Sequence, residues 1–413
     1  MNYPHLQGLR VIESSAFIAA PLAGLTLAQF GAEVIRVDLI GGGIDYARMP
    51  TAPSGRSLYW TALNKDKKSV AIDIRKPEGR ELVQQLVAAP GPQSGVLLTN
   101  IGTPWLSHAV LAGLRQDVIT CTIEGNNDAS TAVDYTVNCA TGYPQSTDTG
   151  NGPVNSVFPG WDFACAYQAA FAITSAYLRR TQTGQGAELR LALSDVAFSA
   201  LSHMGVMTEA ELFQRDRPPI GNHIYGAFGH DFATSDGRRV MVAGISAGQW
   251  RSLVKTCAIE AAIASFEQAH ACDLAREEDR FVHRDAVVEM LAPWFASRTF
   301  AAACAALDAG KVCWGPYRTV TQLLDEDPRV GAANPIFDRV ETSGIGAHWA
   351  AGTPIRHIGQ ERGLTQPARL LGQDTDEVLS RVLGLADHQI ARLHDQRVVA
   401  GPEQDPTASA ANR

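Results

Sequence analysis

The sequence predicts an α/β protein, a parallel sheet covered by helices, with a second and smaller domain set into the chain. Two observations carry this expectation. Through the first 125 residues short apolar strands alternate with helical segments across short links. Near residue 218 the texture changes to a Pro- and Gly-rich linker, and a hairpin pattern follows it.

The elements read in order. LRVIE (9–13) is a short apolar strand, and PLAGLTLAQFG (21–31) has helical spacing with a Gly stop. AEVIRVD (32–38) is a second strand, and GGGIDYARMP (41–50) is a loop because three consecutive glycines interrupt any regular element. SVAIDI (69–74) is a third strand, PEGRELVQQLVAA (77–89) a helix opened by Pro, GVLLTN (95–100) a fourth strand and DVITCTIEG (117–125) a fifth. Ligands of such open sheets sit beyond the carboxyl ends of the strands. That rule singles out 14–20, 38–48, Arg75, Asn100 and Ile101. A long small-and-apolar helix spans 161–180 and stops at TQTGQG after two arginines, as suits cations near the negative end of a helix. Pro218, Pro219 and Gly221 mark the linker, and FATSDGRRVMVAGI (232–245) is a hairpin turning at Asp236–Gly237. The expected organisation is a large domain over 1–215, a small domain over 223–325, a return to the large domain over 327–400, and a frayed tail over 401–413.

Composition excludes several classes. The 413 residues carry a net charge of −8 and no Lys/Arg-rich run, so nucleic-acid binding is not expected. An acidic chain that binds an anion must build a local positive site, which directs attention to single cations in loops. No apolar window is long enough for a membrane span, and the first residues lack a signal peptide's basic start and apolar stretch. The seven cysteines include no CxxC pair, which favours reduced cytoplasmic thiols over a zinc site or a disulfide framework.

Asp162 stands in the otherwise small and apolar PGWDFACAYQAA. A carboxylate at a helix start can cap the helix or act as a covalent nucleophile, and the sequence leaves both open. The glycines at 41–43 and in GISAG (244–248) fit a phosphate cradle or a plain turn. Arg36, Lys65, Lys67, Lys68 and Arg75 flank strands on one edge, as a solvated face or together as a phosphate site. His223, His230 and His283 show no metal-ligand spacing, and no GxSxG elbow occurs.

The order of segments LRVIE, AAPLAG, LAQFGAEVIRVD, GGGIDYAR, LNKDKKSVAIDIRKPEGRELVQQL, VLLTN, WDFACAYQAAFAITSAYLRRTQTGQGAELRLALSDV and QPARLLGQDTDEVL resembles the class III CoA-transferase (CaiB/BaiF) family over about residues 6–400. The resemblance implies an interlocked homodimer with a Rossmann-like large domain and a smaller α+β domain. It implies Asp162 as nucleophile, passing coenzyme A through an aspartyl thioester, with Arg36, Ile72, Arg75, Asn100 and Ile101 at the coenzyme. Coenzyme A belongs to the acyl-CoA substrate, so no separate cofactor and no metal is expected. The loops ESSAFIAAPLAG, IGGGIDYARMP, VDYTVN, GNHIYGAFGHDFAT, WGPYRTV and IGAHWAAGTPI resemble a branch of the family that shifts coenzyme A from one carboxyl of methylfumarate to the other. Arg48, His223 and Tyr225 come from those loops as candidate contacts to the dicarboxylate. The chain departs from some members at Ile18, where they carry Gln, and in GISAG, which is shorter than the usual glycine run. Two alternatives are transfer to a separate acid and α-methylacyl-CoA racemisation. The latter uses a His directly before an Asp, and here Val133 precedes Asp134.

Overall fold

The computed structural model describes residues 2–408, and their contacts divide the chain into two units. The first comprises Met1–Thr141, Ser156–Thr208 and Pro328–Arg413; the second comprises Gly142–Asn155 and Glu209–Asp327.

The first unit alternates as the sequence predicts. Strand β1 is Arg10–Ser14, helix α1 Ala19–Gln29, β2 Glu33–Asp38, α2 Leu58–Asn64, β3 Lys68–Ile72, α3 Pro77–Ala88, β4 Val96–Thr99, α4 His108–Leu114, β5 Ile119–Glu124 and α5 Asp134–Cys139. After the short α6, Tyr143–Ser146 of the second unit, come α7 (Gly160–Thr183), β6 (Ala187–Ala192) and α8 (Leu193–His203). Strands lie in the order β3-β2-β1-β4-β5-β6, all parallel, and Val399–Ala400 adds an antiparallel edge to β3. The order reverses between β1 and β4, the switch point where doubly wound folds open a crevice at the carboxyl edge.

Both sheet faces are covered, which explains the unbroken apolar runs of the strands. Val11, Val34, Val96 and Leu98 face one core with α1, α7 and α8; Ile12, Ile35 and Leu97 face another with α3 and the helices Thr375–Leu383 and Asp387–Asp395. Small residues let α1 and α7 approach closely: Ala19, Ala20, Ala23 and Ala28 share a core with Ala166, Ala169 and Ala170. α7 begins after the loop that follows α5 and ends four residues before β6, so its start lies at the carboxyl edge of the sheet. Arg180 differs from expectation. Its guanidinium donates to the carbonyls of Gly95, Asp117 and Pro92 in the loops before β4 and β5, while Gly184, at φ +71°, closes the helix.

The tail is a correction. Gly401 to Ala408 is packed, and the Asp405 carboxylate is buried, accepting from the Tyr46 hydroxyl at 2.7 Å and the backbone N–H of Leu371 and Thr407. Burial raises the Tyr46 phenol far above its usual value. A short polar and Pro-containing end thus anchors the 41–50 loop; residues 409–413 lie outside the described residues.

The second unit is built on the antiparallel sheet β7 (Phe228–Ala233), β8 (Arg239–Gly244) and β9 (Cys313–Pro316), with helices between Ala247 and Ala309. Phe228, Phe232, Val240, Val242, Trp250, Leu291 and Phe295 form its core.

Candidate active site

At the switch point the loop after β1 is held from below by buried polar groups. Asn100, just past β4, accepts the N–H of Ala16 at 2.9 Å and donates to its carbonyl at 2.7 Å. Asp45 of the glycine loop accepts the N–H of Phe17 at 2.9 Å. Phe17 sits at φ +65°, a conformation that costs a bulky residue about 1–3 kcal/mol and persists only where neighbours hold it. Ile101 is exposed at the end of β4, and Arg75, exposed beyond β3, pairs with Asp73 at 2.7 Å.

The remaining cations of the predicted phosphate edge are committed elsewhere. Arg36 is 1% exposed and spends its donors on Asp38, Glu13, Ser15 and Asn64, with Asp45 at 3.5 Å. Burial opposes its charge, yet Asp38 and Glu13 hold its pKa above the ordinary guanidinium value. Lys67 is equally enclosed, 2.8 Å from Glu13 and donating to Asn64 and the Pro21 carbonyl; burial lowers its pKa to about 8. Gly24 makes room for this cluster, since a Cβ there would fall 1.8 Å from a Glu13 oxygen. Lys65 is partly buried and donates to the Ala62 carbonyl, and Lys68 pairs with Glu33 and Glu377. Ile72 is fully buried in the sheet. The side chains of Arg36 and Ile72 therefore offer no free surface to a coenzyme, and Arg36 instead braces the 15–17 loop from beneath.

Asp162 lies in the first turn of α7 and is not its cap. Two residues ahead of it stands Gly160, and the residue before that, Pro159, has no side chain that can accept a hydrogen bond. The cap comes from α5: a carboxylate oxygen of Asp134 accepts the N–H of Trp161 at 2.7 Å and of Asp162 at 3.0 Å. Trp161 Nε1 donates to Asn138 Oδ1 at 2.9 Å, tying the two helices again. The β5–α5 link folds back tightly enough to reach α7 because Gly125 lacks a Cβ, which would come within 2.5 Å of the Ala132 nitrogen. The Asp162 carboxylate, partly buried, accepts no hydrogen bond among the described residues. Burial first, and the Asp134 charge second, raise its pKa to about 7. Asp134 is 2% exposed and its pKa is also raised by burial, which the two backbone donors oppose.

Tyr59 of α2 joins this corner of the first unit to the glycine loop. The Arg48 guanidinium lies 5.2 Å from the Tyr59 ring and 5.5 Å from the Phe17 ring. Burial raises the Tyr59 phenol well above its usual pKa; Arg48 opposes that and Asp162 adds to it. His223 and Tyr225 belong to the second unit. His223 stacks on His230 at 4.2 Å between ring centres, with Asp285 at 3.3 Å, and burial lowers its pKa. Tyr225 donates to Glu209 and lies under Arg217 at 3.8 Å. The sequence reading missed Tyr59, the cap from Asp134 and the Glu13 cluster. The available signal was Glu13 itself, a carboxylate inside an apolar strand of a two-sided sheet, which demands a buried cation. Among the described residues no three His, Cys, Asp or Glu side chains gather as a metal site.

Comparison with known proteins bears on the family and the fold. The family model described as CoA-transferase family III matches residues 6–375. The 2-methylfumaryl-CoA isomerase of Chloroflexus aurantiacus is 43% identical over 403 residues, covering 97% of this chain and 98% of that protein. A formyl-CoA:oxalate CoA-transferase of Rhodopseudomonas palustris is 26% identical over 97% of this chain and 98% of its own length. The crystal structure of a CaiB/BaiF family protein from Brucella suis superposes with a TM-score of 0.76 at 24% identity, covering 92% of this chain and 100% of that one, which establishes the shared fold.

Proposed function

The chain belongs to CoA-transferase family III, and from that premise we propose that it moves coenzyme A between the two carboxyl groups of 2-methylfumaryl-CoA, with Asp162 as the covalent carrier. One observation carries the assignment of the nucleophile: in the first turn of α7, at the carboxyl edge of the sheet, the Asp162 carboxylate accepts no hydrogen bond among the described residues.

The chemistry follows from carboxyl activation alone. Asp162 attacks the thioester carbonyl, the C–S bond breaks, and a mixed anhydride and coenzyme A thiolate result. The thiolate attacks the aspartyl carbonyl of the anhydride, which releases the dicarboxylate and leaves Asp162 as the thioester. The other carboxylate of the held acid attacks that thioester, and the two steps run backwards to give the isomeric product and free Asp162. Every covalent species is an activated carboxyl, so the energy of the thioester is conserved. A carboxylate raised toward neutrality is more nucleophilic than an ordinary one and still ionised at pH 8. Arg75, Asn100 and Ile101 border the coenzyme in this reading, with Arg36 and Ile72 supporting from the sheet. Arg48 of the first unit is the proposed contact of the dicarboxylate.

A homodimer belongs to the same reading. Tyr167, Phe171 and Leu178 form an exposed apolar stripe on α7, with Phe171 74% exposed, and Phe198 of α8 is exposed as well. Free thiols at all seven cysteines support a reduced, cytoplasmic setting. No single described helix is long and apolar enough to cross a membrane. The test is incubation with 2-methylfumaryl-CoA and chromatographic separation of the two regioisomers. The reading expects interconversion without label from added free 2-methylfumarate. Label entering the product points to transfer between separate acids, and no interconversion at all overturns the substrate.

A further inference from the structure

Helix starts normally stabilise negative charge, because their first N–H groups have no partner within the helix. Asp162 is placed to claim them and does not. Two of the donors in that turn, its own N–H and that of Trp161, are both taken by one oxygen of Asp134, at 3.0 and 2.7 Å. Asp134 is 2% exposed and reaches this position from a separate helix, α5, which the Trp161–Asn138 bond fixes against α7.

We propose that Asp134 is a positioning residue for Asp162: by occupying the backbone donors at the start of α7 with its own carboxylate, it leaves the Asp162 carboxylate unbonded and thereby more reactive toward a thioester. This deepens the assignment of Asp162 as nucleophile and rests on it. A nucleophilic oxygen that accepts hydrogen bonds must give them up to attack; one that accepts none does not. The other groups close enough to couple to Asp162 are Tyr59 from α2 and Cys165 one turn further along α7. Both are neutral near pH 7, since burial raises the phenol and pushes the Cys165 thiol to about 12. Asp134 is thus the charge that acts on Asp162.

The test compares Asp134→Asn with Asp134→Glu in the full chain, using two readouts. The first, independent of turnover, is the titration of Asp162 followed by infrared difference against Asp162→Asn in each background. The second is the pH profile of CoA transfer. Asp134→Asn should lower the Asp162 titration midpoint toward the usual carboxylate range and reduce kcat roughly tenfold with KM changed less than about twofold. Asp134→Glu keeps the charge and should keep the midpoint near that of the unaltered protein. An unmoved midpoint in Asp134→Asn overturns the proposal. So does a loss confined to KM, or to thermal stability with kcat retained. If Asp134→Asn does not fold, a midpoint for Asp162 in the ordinary carboxylate range in Asp134→Glu overturns it equally. Failure of the nucleophile assignment looks different: Asp162→Ala would then retain transfer whatever Asp134 does.

Discussion

Two groups of carboxylates drawn away from water in the first unit have opposite fates. Glu13, Asp38 and Asp45 surround Arg36 and Lys67, so three acids face two cations, although Glu13 Oε2 and Asp45 Oδ1 accept no hydrogen bond among the described residues. Asp134 and Asp162 lie at the start of α7 with no ion-paired cation among the described residues: one accepts two backbone N–H groups and the other accepts no hydrogen bond from them. The first group is closed on itself and shapes the 15–17 loop. The second keeps one carboxylate unsatisfied. The difference teaches that burial of an acid does not mark a reactive site; removal from water with no cation beside it does.

Variants in the two groups should separate these roles. The largest effect is expected at Asp162. Asp162→Ala should lower CoA transfer by more than about a thousandfold while the far-UV circular dichroism stays unchanged. Retained transfer would erase the contrast. Next is Arg36→Met, which strands Glu13, Asp38 and Asp45 around Lys67 alone. Removing one partner of such a buried set costs about 3–5 kcal/mol, read as a lower denaturation midpoint. A stability equal to the unaltered protein would show that the cluster is not needed for the fold.

Asp162→Asn should do the reverse and stabilise the protein, in a window fixed by pH. The folded pKa of Asp162 is raised to about 7, so its contribution to stability is full below the unfolded value and is lost as pH rises through 7. The Asn variant should melt with the unaltered protein near pH 4, and above pH 7 it should gain about 1–3 kcal/mol. Equal melting at pH 8 would mean that ionising Asp162 costs the fold nothing. The smallest effect belongs to Arg75, exposed and paired only with Asp73. Arg75→Ala should raise KM for the acyl-CoA by about threefold to tenfold with kcat unchanged, as expected for one charge at a solvated phosphate contact.

The fold was legible because its elements are local. Apolar strands such as VLLT and the helix from Gly160 to Thr183 declare themselves by pattern, and Gly184 closes that helix as its position suggests. Asp162 was legible as an isolated carboxylate in an apolar helix start. Its neighbour was not: Asp134 lies 28 residues away in sequence, and only the fold-back at Gly125 brings it to the same helix end. The cations failed for a related reason. Arg36 and Lys67 carry the residue types of a phosphate site, but their fate was decided by Glu13, which lies far from both in sequence yet stands directly opposite Arg36 on the neighbouring strand. The ordered end of the chain was missed because its polar residues look like solvent-facing ones until Asp405 meets Tyr46.

The most direct test of the account is chemical capture of the acyl carrier during turnover. The protein is mixed with 2-methylfumaryl-CoA, quenched with hydroxylamine, digested and read by mass spectrometry. The account predicts a hydroxamate on Asp162, dependent on substrate. Turnover that continues while the Asp162 peptide stays unmodified, or a hydroxamate on a different carboxylate, would contradict it.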